Sequence, residues 1–268
     1  MYRYIDVHSH VALDMFGSDS NEVLLSMREQ GIATIVVGVD QASSEAAVSC
    51  AEANDNVFAT IGVHPEDGRD EGFDRGFYER LVVKPKVVAV GECGLDYYRL
   101  SPEESEFRKQ SQKDLFVQQI EFARAHDKPL MIHGRPSKGS MDAYEDILAI
   151  LDAYRVSGGP ALRGNVHFFV GTSEIAEQFF ARQFTVSFTG VVTFTRDYDD
   201  VVMSAPQDMI HAETDSPYAT PVPHRGKRND PRQLPLIVAR LAELRGESEE
   251  DLRIALLKNA ERVFGPLR

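Results

Sequence analysis

Cysteine is scarce: Cys50 and Cys93 are the only two in 268 residues. That excludes a disulfide framework and points to thiols kept reduced. No apolar stretch approaches the roughly 20 residues of a membrane-spanning helix. The first apolar run begins so near the start that no room is left for a secretory leader. A soluble, cytoplasmic protein is therefore expected. Positive charge is also short, 29 lysines and arginines against 42 acids, for a formal net charge of −13. That balance argues against a protein that grips nucleic acid through a broad basic surface, though it leaves room for a small cationic pocket. The one dense basic stretch is His224-Arg225-Gly226-Lys227-Arg228, with Arg232 just beyond, soon after Asp215. Repeats, low-complexity segments and linkers are absent as well, so residues 1–268 read as one domain. Without an interface-like stripe, a monomer is the expectation.

What the chain does have is eight short apolar or β-branched runs, near 4–8, 34–39, 57–63, 87–92, 129–133, 164–168, 184–189 and 208–214. Continuous runs of this kind suit parallel strands buried on both faces. Helical patterns lie between them. Ser101-Pro102-Glu103-Glu104 has the form of a capping box opening a helix to about His126, with Phe116, Ile120 and Ala123 as its core stripe. Asp230-Pro231-Arg232-Gln233 and Ser248-Glu249-Glu250-Asp251 are similar start signals, and Gly31 ends the helix after the first strand. Eight strand–helix units predict an α/β fold with right-handed crossovers, a (β/α)8 TIM barrel, whose typical size is about 250 residues. An open doubly wound sheet would carry a glycine-rich loop after strand one, where this chain has His8-Ser9-His10.

Six of the eight runs end in a histidine or an acid, at His8, His64, Glu92, His133, His167 and Asp215. His8 and His10, one residue apart on an extended chain, turn both rings to one side. Glu92, behind Val88-Ala89-Val90-Gly91, would be costly to bury unless paired or metal-bound. Taken singly, each has a bland explanation: a hydrogen-bonded or core histidine, or a turn acid before Pro217. Jointly those explanations fail, because barrel strands are parallel and all these ends share the C-terminal rim, where barrel enzymes place catalysis. His8, His10, Glu92, His133, His167 and Asp215 exceed what one tetrahedral ion needs. Two divalent ions sharing Glu92 fit the number better. Imidazole favours zinc or manganese over magnesium.

The segments Asp6-Val7-His8-Ser9-His10, Gly62-Val63-His64-Pro65, Gly91-Glu92-Cys93-Gly94-Leu95-Asp96-Tyr97-Tyr98, Ile132-His133-Gly134-Arg135, Glu213-Thr214-Asp215-Ser216-Pro217-Tyr218 and Pro221-Val222-Pro223-His224-Arg225-Gly226-Lys227-Arg228-Asn229 resemble, in order, the TatD family of metal-dependent deoxyribonucleases. The resemblance implies an amidohydrolase-type barrel with one to three divalent ions, acting as a 3′→5′ exonuclease on DNA and in some members on RNA. It makes His8 and His10 ligands of one ion, Glu92 the bridge, and His133 and His167 ligands of the second. Asp215 would ligate the first ion and take the proton of the attacking water, while His64 and Arg225 reach substrate phosphate. His224 and Arg228 could add to the charge around phosphate, and Tyr97 and Tyr98 could stack on a terminal base. One departure stands out: the family's His-Cys-Phe-Thr/Ser-Gly is His167-Phe168-Phe169-Val170-Gly171 here, which changes the pocket wall. A hydrolase of another ester, lactone or amide on the same barrel is the rival reading, and a non-catalytic metal-binding scaffold the third.

Overall fold

Runs that are apolar on both sides can only be strands covered on both faces, and that is what the chain forms. The structure, a computed structural model, describes residues 2–12, 14–66, 72–101, 105–156 and 161–267. Strands β1 (Tyr4–Ser9), β2 (Ile32–Val37), β3 (Val57–Ile61), β4 (Val87–Asp96), β5 (Leu130–Arg135), β6 (Gly164–Val166), β7 (Phe184–Phe188) and β8 (Ile210–Ala212) pair in chain order, each parallel to the next. A helix follows each strand: α1 (Ser20–Glu29), α2 (Gln41–Ala53), α3 (Arg75–Val82), α4 (Ser105–Ala125), α5 (Asp142–Val156), α6 (Ser173–Phe180), α7 (Asp199–Ser204) and α8 (Leu234–Arg245). A further helix, α9 (Glu249–Phe264), ends the chain's regular structure.

The sheet closes where the chain beyond β8 meets β1. Asp215 N–H donates to the His8 carbonyl at 2.9 Å, and His10 N–H to the Ser216 carbonyl at 2.8 Å. Asp6 clamps the same seam, accepting from the Thr214 N–H at 2.9 Å and its hydroxyl at 2.6 Å. The fold is thus the (β/α)8 barrel expected from strand–helix alternation. Among the described residues no helix is long and apolar enough to cross a membrane.

Boundaries differ from the sequence reading in instructive places. β4 runs on to Asp96 because it stays paired with β5 beyond a register shift between Val90 and Cys93. β8 is short because Gln207–Met209 forms a 3-10 turn before it and Thr214 onward turns to β1. Ser248 caps α9 through the Asp251 N–H as predicted, and Gly31, with φ +71°, follows the last turn of α1. Asp230 caps a 3-10 turn (Pro231–Gln233) that leads into α8. The box at Ser101–Glu104 falls on residues 102–104, which lie outside the described residues.

Side-chain parity divides the interior. Ile5, Val7, Ala33, Ile35, Phe58, Val88, Ala89 and Met131 fill the lower barrel with Ala260, Val263, Phe264 and Leu267 of the C-terminal segment, while the intervening residues pack outward on the helices. β1 carries a register shift between Asp6 and Ser9. The extra residue changes the alternation, so that His8 and His10 face inward although Ile5 and Val7 also do. Below the histidine layer sits His211, fully buried with neither ring nitrogen hydrogen-bonded. Burial lowers its imidazole to about 3. Because the folded value lies below the unfolded one, this neutral histidine stabilises the fold above about pH 6.5, and that contribution is lost as pH falls toward 3. At roughly 1.4 kcal/mol per pKa unit the loss reaches about 3 kcal/mol by pH 4. His211→Leu is expected to flatten stability across that window, read from urea unfolding at pH 7, 5 and 4. An unchanged slope would remove His211 from the acid response.

Candidate metal centre

Glu92 is placed by its flanking glycines. Gly91 and Gly94 have φ of +143° and +135°, and a Cβ on either would come within 2.2 Å of the Met131 or His133 carbonyl oxygen. Only glycine lets β4 press against β5 there. The Glu92 N–H donates across to the Gly38 carbonyl at 2.9 Å, which fixes the backbone while the carboxylate points into the barrel mouth.

Its two oxygens face different histidine pairs. Oε2 lies 3.4 Å from His8 Nε2 and 3.7 Å from His10 Nε2. Oε1 lies 2.9 Å from His133 Nδ1 and 2.8 Å from His167 Nε2. Asp215 Oδ1 completes the first group, 3.5 Å from His10 Nε2 and 3.7 Å from His8 Nε2. The structure thus brings all six residues singled out in the sequence to one place, in two sets that share Glu92; the candidate ligand atoms of His8, His10 and Glu92, and those of Glu92, His133 and His167, each lie within 4.8 Å of one another, with Asp215 beside the first set.

The outward ring nitrogens decide which nitrogen faces the centre. His10 Nδ1 meets the Val37 carbonyl at 3.2 Å, and His133 Nε2 meets Asp96 Oδ2 at 3.1 Å. His167 Nδ1 is 3.5 Å from Glu213 Oε1. Carboxylates and carbonyls behind histidines fix the tautomer and leave a lone pair for a cation. Several of the inward distances, at 3.4–3.7 Å, are longer than ordinary hydrogen bonds of about 2.7–3.2 Å. Buried nitrogens and carboxylate oxygens converging at such spacing form a donor set that fits divalent ions.

Electrostatics agree. Burial opposes ionisation of Glu92, but the imidazoles of His167, His8 and His133 hold its carboxyl well below the usual range. Burial also disfavours a charged His167, yet Glu92 and Glu213 hold its imidazole well above the ordinary value. His8 is lowered by burial and by the neighbouring His167. These protons balance the charge that a divalent ion would balance if held by the same residues, so its uptake would be coupled to proton release.

Sequence reasoning passed over Asp96 and Glu213, although both stood in the quoted segments. Period-two alternation could have found them: Asp96 shares the inward face of β4 with Glu92, and Glu213 lies two residues before Asp215. Glu213 also accepts from Ser187 Oγ at 2.5 Å and from the Phe168 N–H at 2.7 Å, holding Phe168 at φ +45°. Asp96→Asn and Glu213→Gln are each expected to weaken metal affinity by about 10–100-fold, measured by competition with a chromogenic chelator. Unchanged affinity in both would show the carboxylates to be bystanders.

A pocket of about 470 Å³ opens onto the cluster, with Arg99, Arg135, Phe168 and Tyr218 in its wall. His64 is there too, its Nε2 3.7 Å from Glu92 Oε1. The substrate contacts expected elsewhere are placed differently. Tyr97 is buried, its hydroxyl donating to Asp146 at 2.9 Å with Lys109 over its ring. It shares the outward face of β4 with Cys93 and Leu95, so Tyr98 is the ring left in solvent. Arg225 stacks on Phe194 at 3.5 Å, Arg228 pairs with Asp19 at 3.0 Å, and His224 sits in the same exposed loop rather than in the pocket wall. The basic side chains in the pocket wall are Arg99 and Arg135.

The sequence pattern of the family described as TatD related DNase matches residues 5–265. The uncharacterized metal-dependent hydrolase YabD of Bacillus subtilis (strain 168) is 35% identical over 264 residues, spanning 97% of this chain and 98% of its own. The 3'-5' ssDNA/RNA exonuclease TatD of Pantoea vagans (strain C9-1) is 32% identical over 271 residues, spanning 97% and 98%. The crystal structure of YjjV, a TatD homologue from Escherichia coli K12, superposes with a TM-score of 0.86 at 26% identity over 98% of each chain. The chain therefore belongs to the TatD family of metal-dependent hydrolases.

Proposed function

We propose that this protein is a metal-dependent phosphodiesterase that shortens DNA, and RNA where offered, from the 3′ end. The observation that carries the reading is the split of Glu92, one oxygen toward each histidine pair, beneath a pocket walled by Arg99 and Arg135. His8, His10 and Asp215 would hold one divalent ion, His133 and His167 the other, and Glu92 both. Zinc, manganese and magnesium are the candidates. Such ions supply Lewis acidity toward phosphate oxygens and make water acidic enough to ionise near neutral pH.

The chain's own groups account for the rest. Asp215, at the mouth, takes the proton of the attacking water as its oxygen bonds to phosphorus. The bond from phosphorus to the 3′ oxygen breaks, and that oxygen leaves with the electron pair and gains a proton from solvent. The released nucleotide carries the phosphate. Arg99, Arg135 and His64, in the pocket wall, neutralise the phosphate's non-bridging oxygens, interactions that strengthen as charge builds on them. The exonuclease name of the Pantoea relative supports the same reading.

The test is a 5′-labelled single strand incubated with the protein loaded with manganese, magnesium or zinc. A ladder shortening from the 3′ end, stopped by chelator, is expected. Turnover of a lactone or amide panel with intact DNA would transfer the assignment to that chemistry.

A further inference from the structure

We propose that Tyr98 and Tyr218 are base-stacking residues that hold the two nucleosides flanking the scissile phosphate, one on each side of the ion cluster. The inference rests on the nuclease reading above. Its starting point is how exposed aromatics are distributed. Among the described residues four are exposed: Tyr98, Phe107, Phe194 and Tyr218. Tyr98 follows β4, Phe107 lies in the first turn of α4, Phe194 follows β7 and Tyr218 follows β8. Strand C-termini and helix N-termini define one rim of this barrel, so all four rings share the face that carries the cluster. Of these, Tyr98 and Tyr218 stand beside the cluster itself, whereas Phe194 is stacked by Arg225.

Tyr98 and Tyr218 are also tied to the cluster through the backbone. The Tyr98 N–H donates to Asp96 Oδ1 at 3.0 Å, and the other oxygen of that carboxylate meets His133. The Tyr218 N–H donates to the Asp215 carbonyl at 2.9 Å, and Asn229 Nδ2 holds the Tyr218 carbonyl at 2.6 Å. The Tyr218 ring stands 6.4 Å from that of His10, at 70°. With eight strands in ring order, β4 and β8 are four apart, so the two tyrosines lie across the mouth from each other. Each residue is 50% exposed, and Arg135 lies 4.2 Å from the centre of the Tyr98 ring. That guanidinium backs the ring and also faces the pocket, where a phosphate would sit.

The ligand these features suit has flat rings on both sides of a phosphate. Bases inside a duplex already have both faces stacked, so an unpaired strand is what two separate platforms can take. The pocket of about 470 Å³ is on the scale of a small-ligand site, roughly 300–1,000 Å³; Tyr218 is in its wall, and Tyr98 stands outside it beside Arg135.

The experiment compares an intact single strand with strands in which either nucleoside beside the terminal phosphodiester is abasic. Wild type, Tyr98→Ala, Tyr98→Phe, Tyr218→Ala and Tyr218→Phe are assayed, each loaded with manganese. Each alanine variant is expected to lose about 5- to 100-fold in kcat/KM on the intact strand, mainly through KM, with phenylalanine variants within about twofold of wild type. Wild type should lose a similar factor when the matching base is removed, and the alanine and abasic losses should not add. Losses that add, or no loss in wild type on the abasic strands, would overturn the stacking assignment while leaving the nuclease reading intact. A wild type that cuts none of the strands would overturn the nuclease reading and this inference with it.

Discussion

Glu92→Gln is expected to reduce turnover by at least ~10³-fold and to cut the bound metal below the wild-type content. The geometry makes this carboxylate the one group shared by both histidine pairs. An amide keeps the shape but replaces one anionic oxygen with an N–H donor, which repels a cation whichever pair it faces. The surrounding imidazoles also lose the charge that balances them when protonated, since His8, His133 and His167 all lean on Glu92. Folding should survive, because the position is held by its own N–H bond to Gly38 and by the glycines beside it. Elemental analysis, turnover and thermal unfolding on the same preparation check this. Full metal content with undiminished turnover would remove Glu92 from the centre.

Asp215→Asn should behave differently, lowering kcat by about 10²–10⁴-fold while ion binding by Glu92, His133 and His167 persists. Asp215 approaches only the His8 and His10 side. Its backbone is left-handed, with φ +49°, a conformation that asparagine tolerates as readily as aspartate. The substitution thus removes a proton acceptor without straining the turn that closes the barrel. Part of the activity should return as pH rises, because solvent hydroxide then needs no base. Loss of all metal from the Asn variant, or a flat pH response, would assign Asp215 a ligating role alone.

Phe168 is where this chain departs most visibly from the family pattern, and the structure gives that departure a setting. Its N–H is bound by Glu213 and its side chain lines the pocket. A large apolar ring there forms part of the pocket wall beside His167.

The barrel and the six converging residues were legible from the order of runs and from where the histidines and acids fall. Both are local properties: a run apolar on both sides must be covered twice, and a charged group at a strand end has no packing reason to be there. Parity even extends to Asp96 and Glu213, which alternation could have included. The substrate-facing wall was not legible. Which of two adjacent tyrosines faces water depends on what packs around them: Asp146 and Lys109 engage Tyr97, and Tyr98 is left half exposed. Whether a basic loop reaches the mouth depends on what it meets across the ring; here Phe194 and Asp19 engage Arg225 and Arg228, and Arg99 and Arg135 take the pocket. Strand periodicity and end chemistry belong to the sequence, whereas the partners that loops find exist only once the first and last strands have closed the barrel.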